Sequence, residues 1–286
     1  MRKRIAVLCS DDAHHKYLVA LLRSRFDVVS VVVEPSRCQR RRLREQSHYV
    51  EYAYALYHHL RRTVLGLNRY RRRYFADVAG APSDPFDGAL TVEWINDPAV
   101  SALLESVRPD LTVIICTSIL KARVLEAAGP MIVNVHGGYL PYYRGNHCIF
   151  FALYRGELDR IGSTIHFVNA GIDTGDIIEV VVPPVGPRDN AEALYCRGEK
   201  LAIHRLADLL ERWEQSEPLP RRPQTSRGRL YHTRDRKPHH DLILWLRRCR
   251  ARLAGTGAAR RGGVERPLSA EALKREQTSR PDPTQP

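Results

Sequence analysis

Several short stretches of this chain are apolar almost without a break, and any fold it adopts must cover both faces of each. They are Arg4–Cys9 and residues 28–33, 111–116 and 131–136. A strand with one wet face alternates apolar and polar residues, whereas a continuously apolar run belongs in a parallel sheet covered on both sides. Between the first two runs, residues 14–26 carry Leu18, Leu21 and Leu22 at helical spacing. Strand, helix, strand in this order predicts an α/β fold: a Rossmann-like, mostly parallel sheet with helices on both faces. The alternation resumes downstream. Asp97-Pro98 starts a helix over 99–107, a short helix follows at 121–127, and 148–154 is helical. Residues 163–168 and 177–182 are expected as strands, and 191–213 as a long amphipathic helix that closes the unit.

The first expected domain therefore spans residues 1–216, followed by a short extension at 217–254 with a helix at 241–253. The remainder, 255–286, is rich in Arg, Gly, Pro, Ser and Thr and is expected to be disordered. After the second strand, residues 36–76 hold eleven arginines interleaved with Tyr49, Tyr52, Tyr54, Leu56, Tyr57, Leu60 and Leu65. This predicts a basic helical insert of one or two amphipathic helices. The formal charge of +13 raises the question of a polyanionic partner. Of the 45 basic residues all but six are arginine, a skew that coding bias produces as readily as phosphate binding does. Nucleic acid stays a secondary expectation for 36–76, beside a solvated helix face. The six cysteines form no C-x-x-C pair, so neither a disulfide framework nor a metal site is expected. No apolar run approaches the roughly 18 residues of a membrane span, and a cytoplasmic enzyme without membrane contact is expected.

Three pieces concentrate chemistry: Asn134-Val135-His136, then Leu140-Pro141-Tyr142-Tyr143-Arg144-Gly145, then Gly171-Ile172-Asp173-Thr174-Gly175-Asp176. On a strand, residues two apart share a face, so the Asn134 carboxamide and His136 imidazole project together. They end an apolar strand and run into Gly137-Gly138, at the carboxyl edge where open α/β sheets bind ligands. Taken singly, Asn134 reads as a strand-end residue, His136 as a core histidine and Asp173 as an Asx-turn residue. The ordered set reads as a site.

Asn-x-His, a Leu-Pro-x-Tyr-Arg-Gly-like loop and a later Ile-Asp-x-Gly segment, in that order, resemble the folate-dependent formyltransferase family. That family includes glycinamide ribonucleotide transformylase, methionyl-tRNA formyltransferase and the sugar N-formyltransferases. The resemblance implies 10-formyltetrahydrofolate as co-substrate and Asn134, His136 and Asp173 as catalytic residues. It further implies pterin contacts from Cys116, Thr117, Ser118, Ile119 and Leu120 and from Val168, Asn169 and Gly171. The loop of Leu140, Pro141, Tyr143, Arg144, Gly145 and Asn146 falls on the substrate side. Many relatives carry Thr-Arg-Ile-Leu where this chain has Thr117-Ser118-Ile119-Leu120, so the arginine is missing here. Cys9-Ser10-Asp11-Asp12 replaces any Gly-x-Gly-x-x-Gly, which disfavours a nicotinamide cofactor.

The implied acceptor is a small-molecule amine, such as an amino sugar or a phosphorylated or nucleotide-linked substrate, and a homodimer is a further expectation. Initiator tRNA is disfavoured because 218–254 is too short for a β-rich RNA-binding domain. Two other classes stand beside this one: a hydrolase passing the formyl group to water, and a non-catalytic nucleic-acid or folate binder.

Overall fold

The computed structural model describes residues 2–253 except Asp77, Ala79, Ala81, Pro187 and Arg188. The expected tail at 255–286 lies outside them. The apolar runs become β1 (Arg4–Cys9), β2 (Asp27–Val33), β4 (Leu111–Ile115) and β5 (Ile132–His136), with a two-residue β3 (Leu90–Thr91) at the edge. They pair in parallel, and β7 (Ser163–Phe167) and β8 (Ile177–Val181) extend the sheet antiparallel. The strand order is β3-β2-β1-β4-β5-β7-β8.

The strand period of two sorts the core into two layers. Ile5, Val7 and Cys9 of β1 pack on one face with Leu18 and Leu22 of α1 (Ala13–Arg25) and Leu206 and Leu210 of α8 (Ala191–Glu214). Ala6 and Leu8 face the other way. They meet Val100 and Leu104 of α5 (Pro98–Val107) and Val124 of α6 (Ala122–Ala127). The helices α1, α5 and α8 begin where side-chain oxygens satisfy free N–H groups: Asp12 accepts from Ala13, Asp97 from Ala99 and Asn190 from Ala193. No helix among the described residues is long and apolar enough to cross a membrane.

Residues 36–74 form α2 (Ser36–Glu45), α3 (Tyr49–Val64) and α4 (Leu67–Tyr74). Several of their arginines turn inward. Buried Arg71 binds Glu192 and lies 2.7 Å from Asp12, Arg62 also reaches Asp12, and Arg61 pairs with Asp241. Beyond residue 216 the chain is built into the unit. Ile177 bridges Arg222, and β9 (Arg229–Tyr231) pairs in parallel with β6 (Tyr143–Gly145) ahead of α9 (Pro238–Leu253). Between β6 and β7 lies α7 (Cys148–Arg155).

Glu34, fully buried at the end of β2, ties these pieces together. Its carboxylate accepts from Arg42 at 2.7 Å, from Ser118 N at 2.8 Å, from Ser118 Oγ at 3.0 Å and from Ile95 N at 3.3 Å. Removing one member of a buried pair leaves the rest desolvated and unpaired, at a cost of about 3–5 kcal/mol. Glu34→Ala is therefore expected to lose about that much stability in urea unfolding. A loss no larger than that of a typical surface substitution would show that Glu34 does not organise this region.

Candidate active site

Val133 and Val135 enter the core, which turns Asn134 and His136 to the opposite face of β5. Across the antiparallel pairing, Asn134 stands opposite His166 and His136 opposite Thr164. The loop after β7 supplies the carboxylate. Asn169 Oδ1 accepts from Gly171 N at 3.0 Å and Thr174 Oγ1 at 2.6 Å, and Asp173 sits at φ +51°. Gln224 clamps the turn by donating to Asp173 O at 3.0 Å and Gly175 O at 2.7 Å. Arg144 holds the Ile172 carbonyl through two guanidinium N–H groups.

Four groups surround Asp173. Its Oδ2 accepts from Gly145 N at 2.8 Å and lies 3.6 Å from His136 Nδ1. Its Oδ1 lies 3.5 Å from both His166 Nε2 and Asn134 Nδ2. Backbone contacts settle the tautomers, because a carbonyl only accepts. His136 Nε2 is 3.1 Å from Tyr143 O and donates to it, so Nδ1 faces the carboxylate. His166 Nδ1 donates to Phe167 O at 2.8 Å, so its Nε2 accepts from Asn134 Nδ2 at 3.0 Å and orients the carboxamide.

Burial works to raise the Asp173 pKa, but a proton taken up by His136 or His166 on the side facing it, together with the Gly145 N–H, outweighs burial and holds the carboxyl well below the usual range. Burial pushes His136 below its ordinary value, against the opposite pull of Asp173. At rest the site thus presents an ionised carboxylate and a neutral Nδ1 lone pair, two acceptors converging where a single proton could be shared. The Asn134 amide, held by His166, is a donor beside them. A donor for a developing oxyanion next to a proton acceptor is the equipment of acyl transfer.

The other expected residues divide by role. Leu140 is buried with its N–H on Thr164 Oγ1, Tyr143 is buried, and Gly145 at φ +80° leaves no room for a side chain, since a Cβ would stand 2.2 Å from Tyr231 O. Asn146 donates its N–H to Tyr231 O, and Pro141 follows Leu140 through a cis bond. Val168 N bonds Ile132 O, while Asn169 and Gly171 shape the Asp173 turn. Cys116 follows β4 at φ +53° and its carbonyl accepts from Gln39. Thr117 is half-buried, Leu120 is buried and Ile119 is exposed. Ser118 receives the Arg42 guanidinium at 3.1 Å from α2. Sequence reasoning ranks a supporting or acceptor-side role for His166 below ordinary packing and does not single out Gln224. His166 meets Asn134 only through strand pairing, and no local pattern marks Gln224.

His14, His15 and Cys116 also gather, with ligand atoms within 4.8 Å of one another. His15 Nδ1 already accepts the Asp12 N–H, which places its proton on Nε2, and His14 Nε2 bonds the Tyr195 hydroxyl at 3.0 Å. Among the described residues, His14 Nδ1 and His15 Nε2 have no hydrogen-bond partner, but ligation through His15 Nε2 would move its proton to Nδ1, against the Asp12 N–H.

The family model described as Formyl transferase matches residues 3–210. The chain belongs to the formyl transferase family. It is 35% identical over 147 residues to a methionyl-tRNA formyltransferase of Desulforamulus reducens, covering 50% of this chain and 44% of that protein. A second such enzyme, from Syntrophus aciditrophicus, is 38% identical over 134 residues, covering 46% and 41% respectively. The chain thus spans less than half the length of the curated relatives it matches. Among solved structures, a 4-N formyltransferase from Francisella tularensis superposes with a TM-score of 0.55 at 17% identity, covering 86% of this chain and 87% of that one. A sugar N-formyltransferase from Shewanella sp. gives 0.54 at 15% identity over the same shares. Both share the α/β fold described above.

The candidate site sits among histidines that burial keeps neutral. Burial is the first cause of the lowered pKa of His14, His136 and His147, and of His15 and His58, each brought down to about 4. In the unfolded chain each titrates near 6.5. Below that pH the unfolded state binds more protons, so stability is complete above about pH 6.5 and falls as pH drops toward 4. His15 and His58 are each expected to contribute on the order of 3 kcal/mol to this loss. Thermal unfolding from pH 7.5 to 4.5 is expected to show a steadily falling midpoint, and a flat profile would contradict the buried neutral state.

Proposed function

We propose that this formyl transferase moves the formyl group of 10-formyltetrahydrofolate onto the amine of a small acceptor that carries negative charge, such as a phosphorylated or nucleotide-linked amino sugar. The convergence of Asn134, His136 and Asp173 around one point carries the reading. When an amine attacks a formyl carbon, charge grows on the formyl oxygen and the nitrogen must shed a proton. The Asn134 carboxamide donates to that oxygen, preoriented by His166 so that little reorganisation is needed as charge develops. The Nδ1 of His136, backed by the Asp173 carboxylate, accepts the proton, and the pair later returns one to the departing nitrogen. The donor set fits a folate co-substrate, for it supplies one hydrogen-bond donor and one proton shuttle and asks no redox chemistry of the protein.

Charge beside the catalytic loop supports an anionic acceptor. His147, two residues past Gly145, packs at a tilt against His58 with ring centroids 4.4 Å apart. Among the described residues, the ion pairs of the nearby Arg61, Arg62, Arg71 and Arg236 are with Asp12, Glu192 and Asp241. Four guanidinium groups against three carboxylates leave a positive excess on this side, and it draws an anion.

Purified protein incubated with 10-formyltetrahydrofolate and a panel of amino sugars, their phosphates and their nucleotide conjugates is expected to yield a product heavier by one carbonyl in mass spectrometry. Asn134→Ala is expected to lower kcat by about 10²–10³-fold. Tetrahydrofolate release at the same rate with and without amines would replace this reading with hydrolysis. Turnover unaffected by Asn134→Ala would remove the catalytic assignment.

A further inference from the structure

Strand β6 has two edges with different duties. The Tyr143 carbonyl and Gly145 N–H point to His136 and Asp173. The Tyr142 carbonyl and Asn146 N–H point the other way and bond β9. Beyond β9, away from the catalytic edge, a cavity of about 320 Å³ opens between β9 and α7, near the small end of the range for ligand sites.

Its wall is aromatic. Phe151 and Tyr231 stack with centroids 4.1 Å apart, and Tyr154 continues the surface. Its rim is cationic: Arg155, Arg229 and Lys237 line it, and among the described residues none of them forms an ion pair. The guanidinium groups of Arg155 and Arg229 lie 5.8 and 5.2 Å from the Tyr231 ring centroid. The lining carboxylate, Asp235, is engaged by the His232 N–H at 2.8 Å, and His240 accepts the Lys237 N–H through Nδ1. Tyr231 is 2% exposed, and its hydroxyl is buried with no hydrogen-bond partner. Unsatisfied buried hydroxyls are uncommon and costly.

We propose that this cavity is a second ligand site, made for a phosphate monoester attached to a planar ring, as in a mononucleotide. Three cations against one carboxylate match a phosphate monoester, which carries about −1.5 to −2 charge near neutral pH. Guanidinium groups bind phosphate oxygens through paired N–H donors, and Tyr154, the half-exposed aromatic of the wall, takes the ring. The Tyr231 hydroxyl gains the partner it lacks. A cavity of this size excludes a nucleic-acid strand, which needs an extended track of phosphate contacts. The site does not depend on the formyl transfer reading, because the catalytic groups occupy the other edge of β6.

Isothermal titration of the full chain with adenosine and uridine 5′-monophosphates, with the two nucleosides and with inorganic phosphate tests this directly. At least one monophosphate is expected to bind saturably, about tenfold or more tighter than its nucleoside or phosphate alone. Arg229→Ala combined with Lys237→Ala is expected to weaken it by about tenfold or more, and Tyr231→Phe, which keeps the ring, by a smaller factor. Arg155→Ala serves in place of the double variant should that one fail to fold. Asn134→Ala is expected to bind as the parent does. The proposal is overturned if no monophosphate binds, if phosphate alone binds equally well, if the arginine and lysine variants bind unchanged, or if Asn134→Ala abolishes binding.

Discussion

The site depends on one carboxylate held where it is expensive to hold one. Asp173 is largely buried and sits at φ +51°, a backbone region that a residue with a side chain occupies only under constraint. The constraint comes from outside its own turn: the Gly145 N–H, the Gln224 amide on the neighbouring carbonyls, and the Arg144 guanidinium on Ile172 O. Once fixed and ionised, Asp173 faces His136 Nδ1, and the whole proton-handling geometry follows from that placement. Gln224 and β9 belong to the segment after residue 216, so the stretch that reads as an appendage in the sequence holds the Asp173 loop and β6 from behind.

Buried ion pairs are costly to desolvate and seldom add much stability, yet breaking one is severe. In the basic stretch after β2 they act as positioning devices. Arg71 and Arg62 fasten α3 and α4 to Asp12 at the end of β1, and Arg42 joins α2 to Glu34 and Ser118. These helices therefore reach the edges of the site instead of swinging freely in solvent. Arg37, Arg40 and Arg44 of α2 instead line a groove with Tyr52 of α3.

Much of the architecture was legible because apolar periodicity reports burial directly. The runs at β1, β2, β4 and β5 and the helices α1, α5 and α8 lie within a residue or two of where spacing places them. β3, β6 and β9 are two or three residues long, too short for any period to register, and β9 finds β6 across more than eighty intervening residues. The direction in which each arginine points was equally hidden, since every arginine looks the same in a sequence and only a facing carboxylate draws one inward.

By itself the sequence determined which residues could do chemistry, because a carboxamide and an imidazole two apart on one strand must share a face whatever else the chain does. It also determined the layered α/β class, since uninterrupted apolar strands have to be covered on both sides. Only the tertiary structure decided that Asp173 turns toward His136, that His166 aims the Asn134 amide, and that Gln224 and β9 lock the loop. Those contacts join residues 28 to 86 positions apart, and bringing such segments together is a matter of strand order and packing, which no local pattern encodes.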